Sequence, residues 1–459
     1  MVDRPVRTYR AHRWIAGVSF ALVLTAVSAS GQQGVPPTAP QARRADLERF
    51  RTEFLERDRA YSAENRRLAT ARLAALERTL DTLSRVGLEL EIARIVALAD
   101  NGHTTAIAGP RSRRYYRVPL RLVPFGDQFF VLRADTAHAD LLGARLAAID
   151  GRPMAELIEV ARTLAGGTTA WRDRSAAFFF ESPEQMRALG VTSAAEAATY
   201  RFELAGGRAV NRRLVAEPPN GRRDRFPGSR WMYPPDGGAD GPWQALLSAE
   251  QAPWALRDPG TPFRWRAAPE LDGLVIEFRQ NRNAPDHPIA AFQGEMTDEI
   301  RQRRPRHLVV DMRMNGGGDL NTTRDFFRSL PTLVPGRIFV LTSPWTFSAA
   351  ISSVGYLKQA GADRVTVVGE MVGDRLEFWA EGSVVELSYT GAALLYATER
   401  HDYRTGCRPY PDCHGPVVRN PISVPSLAPE IAAPWTIEAY RAGRDPAMEA
   451  VAAALSRGR

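Results

Sequence analysis

Lysine, cysteine and long apolar runs are scarce in this 459-residue chain. Lys358 is the only lysine, so a mechanism that needs a lysine base has one candidate. The only cysteines are Cys407 and Cys413, too few for the repeated cysteine pairs of structural zinc sites. The formal net charge is +8, and the arginines are mixed with acidic residues rather than gathered in a stripe. We therefore expect no nucleic-acid partner, no metal and no cofactor.

One long apolar run lies near the N-terminus, from Trp14 to Val27. Arginines precede this run and the small residues 28–30 follow it, a pattern typical of a secretory signal peptide over residues 1–30. The run is short for a membrane span, although an uncleaved anchor is the alternative. The sequence thus predicts an exported protein, periplasmic or secreted, with no integral membrane domain after cleavage.

The two cysteines lie six positions apart in a proline-rich segment. In an exported protein, this spacing favours a local disulfide between Cys407 and Cys413. Two free thiols are one alternative. A metal held by His414 together with the cysteines is another, although such a site is short of ligands.

Four regions follow the predicted signal peptide. Residues 43–100 carry leucines at helical spacing and predict a helical domain. Residues 101–215 predict a β-rich module, with a turn at Asp150-Gly151. Residues 216–270 are rich in proline and glycine and predict a surface connection. Residues 271–459 alternate apolar strands with helices, which predicts an α/β core.

The segment Thr346-Phe347-Ser348-Ala349-Ala350 joins a predicted buried strand to a predicted helix. A serine at such a turn can present its Oγ beside the unpaired N–H groups of the first helical turn, as an acyl-transfer nucleophile requires. Serine is also a preferred N-cap residue, so simple capping is the alternative role of Ser348.

A glycine turn, Asn315-Gly316-Gly317-Gly318, ends another predicted buried strand. Glycines allow the backbone to turn sharply and to aim N–H groups at a ligand. Together with the N–H of Ala349, these groups could form an oxyanion hole. An ordinary glycine turn is the alternative.

A serine nucleophile needs a base. Lys358 lies ten residues beyond Ser348, about 15 Å along a continuous helix, which excludes a dyad between them. The remaining candidates are histidines at positions 103, 138, 287, 307, 401 and 414. Among these, His103 lies in the polar turn Asp100-Asn101-Gly102-His103-Thr104, which could present an imidazole to a cleft.

Several of these motifs, in this order and spacing, resemble the tail-specific (C-terminal-processing) serine proteases and their relative, the tricorn protease core. The resemblance rests on residues 309–318, 346–350 and 368–373, on the turn at 100–104, and on the ending from 429 to 446. Residues 142–153 are similar to the end of a PDZ-like module, although Ala144 stands where the family often has aspartate.

The resemblance implies an α/β fold with a crotonase-like spiral of β/α units as the protease core, an N-terminal helical segment and a PDZ-like β-rich module. It implies that Ser348 is the nucleophile and that Ala349 and Gly316 or Gly317 bind the oxyanion. Arg375 occupies the position of the family's lysine base and stays protonated.

With arginine instead of lysine at position 375, the chain is similar to the histidine-using, tricorn-like branch of the family. This likeness implies that His103 is the base. For the residue that orients His103, Glu370 is the first candidate and Glu381 the second, and Asp374 is also near. The function implied is an exported serine endopeptidase that cleaves unfolded or C-terminal peptide segments. The alternative is an inactive relative that binds peptides or small apolar ligands in the same groove.

Overall fold

The computed structural model of the protein describes residues 38–219, 232–234, 243–408 and 410–457. The predicted signal peptide and part of the predicted connection lie outside these ranges. Within them, no helix combines the length and the apolar character that crossing a bilayer requires.

Three helices open the described chain: α1 (Ala39–Arg49), α2 (Ala63–Thr79) and α3 (Arg85–Ala97). Serine caps set two of the starts, because Ser62 accepts a hydrogen bond from the Asn65 N–H and Ser84 accepts one from the Gly87 N–H. Apolar side chains at helical spacing, Leu73 among them, are buried on one side of α2.

The next region is a sheet flanked by helices, and its strands pair antiparallel. Its elements are β1 (Thr105–Ala106), α4 (Ala108–Ser112), β2 (Leu120–Phe125), β3 (Gln128–Asp135), β4 (Arg145–Ile149), β5 (Arg152–Pro153), α5 (Met154–Arg162), α6 (Thr169–Phe180), α7 (Pro183–Ala188), β6 (Ala197–Glu203), β7 (Ala209–Val215) and β8 (Trp243–Ala245). The strand order is β2-β3-β4-β6-β7, with β5 beside β4 and β8 beside β3. Asp150 and Gly151 form the predicted turn between β4 and β5, both with positive φ. The likeness of this region to a PDZ domain stays a prediction.

The last region contains the main sheet and the helices that cover it. Its elements are β9 (Phe263–Ala268), β10 (Gly273–Phe278), α8 (Ile289–Arg303), β11 (His307–Asp311), α9 (Arg324–Leu333), β12 (Ile338–Thr342), α10 (Ala349–Gly361), β13 (Val365–Gly369), β14 (Glu377–Ala380), β15 (Val384–Glu386), β16 (Ala393–Leu395), β17 (Glu399–Asp402), α11 (Gly415–Arg419), β18 (Ile431–Ala432), α12 (Ile437–Arg441) and α13 (Pro446–Ser456). The strand order is β18-β13-β12-β11-β10-β9, and every pair is parallel except β9 with β10.

Each β/α unit of this sheet adds its strand beside the previous one, in the order β10, β11, β12, β13. The strands are mostly apolar, as expected where both faces of a parallel sheet are covered. Val310 and Val340 pack on the side of α9 and α10, whereas Phe339 and Val368 pack against Val451 of α13. The predicted α/β fold with a core of stacked β/α units is confirmed.

Two segments cross the predicted region boundaries. Strand β9 precedes residue 271 and forms an edge of the main sheet. Strand β16 pairs with β1 and β15 pairs with β16, and Val385 and Leu394 are buried in the same core as the N-terminal helices. Residues 271–459 therefore do not pack as one separate unit.

Cys407 and Cys413 form the predicted disulfide, with a Cα–Cα distance of 5.9 Å. Their sulfur atoms are bonded to each other, so the alternatives of free thiols and of thiolate metal ligands are wrong.

Candidate active site

Ser348 lies where the chain turns from β12 into α10. Its φ of 56° and ψ of −129° are rare for an L-residue and cost about 1–3 kcal/mol. The Ser348 side chain accepts no capping hydrogen bond from the helix. Ser348 thus occupies the N-cap position without capping the helix through its side chain, and the strained turn holds a half-buried hydroxyl that the helix itself does not use.

The predicted glycine turn meets the start of α10 at Gly317. Gly317 has a φ of 96°, and a Cβ there would lie 2.7 Å from the Cβ of Ser348 and 3.0 Å from the nitrogen of Ala349. Only glycine allows this approach.

The N–H groups around this contact differ in their availability. Ala349 is the first residue of α10, so its N–H has no intrahelical acceptor. The N–H of Gly317 donates to Oδ1 of Asn315 at 2.9 Å. In the described part of the chain the N–H of Gly316 has no acceptor, and a Cβ on Gly316 would meet nothing within 4 Å. Of the three predicted oxyanion-hole donors, Ala349 and Gly316 thus have N–H groups that are available to donate to a ligand.

Asn281, which the sequence did not single out, joins the glycine turn to α10. Its Nδ2 donates to the carbonyl oxygen of Ala349 at 2.9 Å and to Oγ of Ser353 at 2.8 Å. Its Oδ1 accepts from Nδ2 of Asn315 at 2.8 Å, and its backbone N–H donates to the carbonyl oxygen of Gly317 at 2.8 Å. Such a fully buried and satisfied amide fixes the turn rigidly beside the helix start.

The turn that carries His103 is held by buried polar contacts. Asn101 pairs with the backbone of Trp379 in β14, accepting from its N–H and donating to its carbonyl oxygen, both at 3.0 Å. Thr104 donates to Asp58 at 2.7 Å, and burial raises the pKa of that carboxyl group. These hydrogen bonds hold the turn, and with it the backbone of His103, in place.

Gly102 permits the close approach of this turn to the segment before α10. A Cβ on Gly102 would lie 2.7 Å from Oδ2 of Asp374 and 2.9 Å from Cε2 of Phe347. Gly167, with a φ of 92°, backs the turn from the other side, since a Cβ there would lie 3.1 Å from the Cα of Gly102. Gly102 and Gly167 thus allow the turn that carries His103 to pack closely against its neighbours.

The ring of His103 stacks on Phe347 and on Phe378, at centroid distances of 4.3 and 5.2 Å. Nδ1 of His103 faces Oδ2 of Asp374 at 3.5 Å, and the Asp374 side chain is only 1% exposed. That distance exceeds a hydrogen bond. Among the described residues, neither ring nitrogen of His103 nor this carboxylate oxygen has a hydrogen-bond partner. A small ring movement would bring the pair into bonding distance.

The carboxylate that the structure brings beside His103 is not the one expected first. Glu370, the first candidate, lies beside the Trp435 backbone and near Arg313, and burial raises its pKa to about 7. Glu381, the second, faces His401 at 3.3 Å, and this contact lowers the pKa of Glu381. Asp374 occupies the position beside His103 because the chain after β13 folds back under the Asp100–Thr104 turn.

The side chains of Lys358 and Arg375 both bind groups outside the predicted site of catalysis. Nζ of Lys358 donates to the carbonyl oxygen of Val365 at 2.6 Å and pairs with Glu430. Arg375, at the position of the family lysine, binds Asp100 through Nη1 to the carbonyl oxygen at 2.7 Å and through Nη2 to Oδ2 at 2.9 Å. Arg375 thereby ties the segment of Asp374 to the turn of His103.

Phe347, which directly precedes Ser348, stacks on the imidazole of His103. No hydrogen bond joins Ser348 to His103, although apo catalytic sites often tighten only with substrate. The stack continues from Phe347 to Trp171 at 3.8 Å, and the guanidinium of Arg174 lies over Trp171 at 3.7 Å. Sequence spacing gave no signal for Trp171 or Arg174, because the helix that carries them is remote along the chain.

Known proteins resemble this chain in structure rather than in sequence. No protein-family model and no curated protein matches it. The solved structure of mature CPAF complexed with lactacystin is 12% identical, covers 91% of this chain and 98% of its own, and has a TM-score of 0.55. A serine-to-alanine variant of CPAF is 13% identical over 91% and 96% of the two chains, with a TM-score of 0.56. The photosystem II D1 C-terminal processing protease is 14% identical over 90% and 97%, with a TM-score of 0.37. The protein has the fold of CPAF.

Proposed function

We propose that the protein is an exported serine endopeptidase of the tail-specific family, with Ser348 as nucleophile and His103 as general base. The observation that carries the proposal is the strained, non-capping Ser348 beside the free N–H of Ala349. The buried pair of His103 and Asp374 lies against the preceding residue, Phe347. The fold shared with CPAF, which has been solved in complex with lactacystin, supports a ligand-binding site in this fold.

In the proposed reaction, His103 takes the proton from Oγ of Ser348 as this oxygen attacks the scissile carbonyl carbon. The carbonyl oxygen becomes negatively charged and accepts hydrogen bonds from the N–H groups of Ala349 and Gly316. The imidazolium then gives its proton to the leaving amine, and an acyl-enzyme remains on Ser348. Water, deprotonated by His103, hydrolyses that ester and restores the hydroxyl.

The proposed role of Asp374 is to stabilise the imidazolium and to fix the ring tautomer. Its Oδ1 already accepts from the N–H of Arg375 at 2.9 Å, so the carboxylate is held in place while Oδ2 stays directed at Nδ1 of His103. Asp374 does not touch the substrate in this scheme and acts as a positioning residue.

Export and an unfolded or C-terminal peptide substrate belong to the same proposal. The disulfide between Cys407 and Cys413 suits an oxidising compartment, which supports export. The family resemblance of the motifs around Ser348 supports the substrate class.

Digestion of a reduced and alkylated protein substrate, followed by mass spectrometry, tests the proposal. The wild type is expected to release peptides, and Ser348→Ala is expected to release none. Ser383→Ala serves as the control, because Ser383 is exposed and lies outside the site. If the wild type cleaves nothing but binds, in equilibrium dialysis, peptides prepared from the same substrate with another protease, the inactive peptide-binding relative is the better account.

A further inference from the structure

Glu381, His401 and His414 converge from three segments on a point behind Phe378. Glu381 follows β14, His401 lies in β17, and His414 immediately precedes α11. Their ligand atoms all lie within 4.8 Å of one another. We propose that these three side chains bind one divalent transition-metal ion, with Zn²⁺ preferred.

The distances between the ligand atoms suit one shared ion. Nε2 of His401 lies 3.3 Å from Oε1 of Glu381, and Nε2 of His414 lies 3.9 Å from the same oxygen. Ligands about 2.0 Å from a tetrahedral zinc ion lie about 3.3 Å from each other. The rings of His401 and His414 stack with centroids 4.9 Å apart and planes 19° apart, so binding also requires His414 to tilt until both Nε2 lone pairs point at the ion.

The other nitrogen of each imidazole is already held. Nδ1 of His414 lies 2.7 Å from Oε2 of Glu399, and Nδ1 of His401 lies 3.0 Å from the hydroxyl of Tyr403. A proton on Nδ1 that is donated to such a partner leaves the lone pair on Nε2 for a metal, which is the usual arrangement around metal-bound histidines.

His401 supplies an independent sign of a missing partner. Its side chain is 3% exposed, and its Nε2 contacts Oε1 of Glu381 at 3.3 Å but forms no hydrogen bond of acceptable geometry with any described residue. A buried, unsatisfied ring nitrogen is costly, and in native structures such an atom normally has a ligand, a water or an ion.

The chemistry of the donors favours zinc over calcium or magnesium. Two imidazoles and one carboxylate form the set, whereas calcium and magnesium prefer oxygen ligands alone. The thiols of Cys407 and Cys413 are consumed by their disulfide, which closes the loop before His414. The N–H of His414 also donates to the carbonyl oxygen of Arg400 at 2.8 Å, so the loop is held against β17 before any ion arrives.

An ion at this point would crosslink β14, β17 and the disulfide loop. Phe378 lies in β14 and stacks on His401 as well as on His103. The ion would therefore stiffen the wall that supports His103. The proposal does not depend on peptidase activity, because it rests on the ligand geometry alone.

Metal analysis of the purified protein tests this proposal. The chain is stripped with a chelator, equilibrated with Zn²⁺, freed of excess ion and measured by inductively coupled plasma mass spectrometry. The wild type is expected to retain one zinc ion per chain and to melt at a higher temperature than the stripped form. His401→Ala and Glu381→Gln are expected to lower the affinity at least about tenfold, as loss of a ligand does.

His287→Ala is the matched control, since it removes an exposed imidazole elsewhere and should keep the full zinc content. If His401→Ala fails to fold, Glu381→Gln decides, because that side chain is 41% exposed and tolerates the change. Titration with Co²⁺ adds a visible absorption band in the wild type that Glu381→Gln should lose. A wild type without zinc, or Glu381→Gln with undiminished zinc and cobalt binding, would overturn the proposal.

Discussion

Replacing Asp374 with asparagine separates the orienting residue that we propose from the one expected first from the sequence. Asp374→Asn keeps the shape of the side chain and an oxygen for the N–H of Arg375, but removes the negative charge that faces His103. The charge matters only when His103 becomes an imidazolium, so we expect the chemical step to slow while the fold persists.

The size of the effect follows from the distance. At 3.5 Å, two unit charges in an effective dielectric of about 20 attract each other by about 5 kcal/mol. The asparagine amide dipole recovers part of this energy, and 1.36 kcal/mol corresponds to a tenfold change in rate. We therefore expect Asp374→Asn to react about 10²- to 10³-fold more slowly than the wild type.

The assay is the second-order rate constant for inactivation by a fluorophosphonate probe, which needs an activated serine but no known substrate. Glu370→Gln is the matched control, because it removes a carboxylate from the rejected candidate and should change the rate less than about twofold. An Asp374→Asn rate close to that of the wild type, together with a large loss in Glu370→Gln, would refute the geometric assignment.

Three further changes have defined outcomes. Gly102→Ala places a methyl group 2.7 Å from Asp374 Oδ2 and should destabilise the protein by about 1–3 kcal/mol in denaturant melts, whereas Gly109→Ala, with nothing within 4 Å, should be neutral. Glu370 has a native pKa raised from 4.5 to about 7, so the native state binds the extra proton. The stability of the wild type should therefore fall by about 1–3 kcal/mol between pH 5 and pH 8 relative to Glu370→Gln, which thermal melts across this range would show. Asn281→Ala should cost about 3 kcal/mol and slow probe labelling, because it leaves buried groups unpaired, and the exposed control Asn321→Ala should do neither.

Local patterns were sufficient to predict the framework of the core. The apolar runs of β10 to β13 have no alternation because both faces are buried, and that composition is visible in the sequence. Ser348 was equally visible, since a serine between a buried strand and a helix is a local feature. No local pattern indicates that β15 and β16 join the N-terminal core, because this arrangement depends on the pairing of β16 with β1, far along the chain.

Long-range geometry explains why Asp374 was ranked below Glu370. Both follow β13, and only the path of the chain after the strand decides which carboxylate reaches His103, more than 250 positions earlier. The convergence of Glu381, His401 and His414 was hidden for the same reason. In the sequence, only the neighbouring cysteines made His414 a candidate metal ligand, and the disulfide excludes those cysteines as ligands.

Identification of the residue modified by a fluorophosphonate is the most direct test of the central claim. Peptide mapping by mass spectrometry of the labelled wild type should place the adduct on Ser348. The adduct should be absent from Ser348→Ala and should form far more slowly in His103→Ala. An adduct on another serine, or no adduct under conditions that fully label a known serine hydrolase, would contradict the assignment of Ser348 as an activated nucleophile.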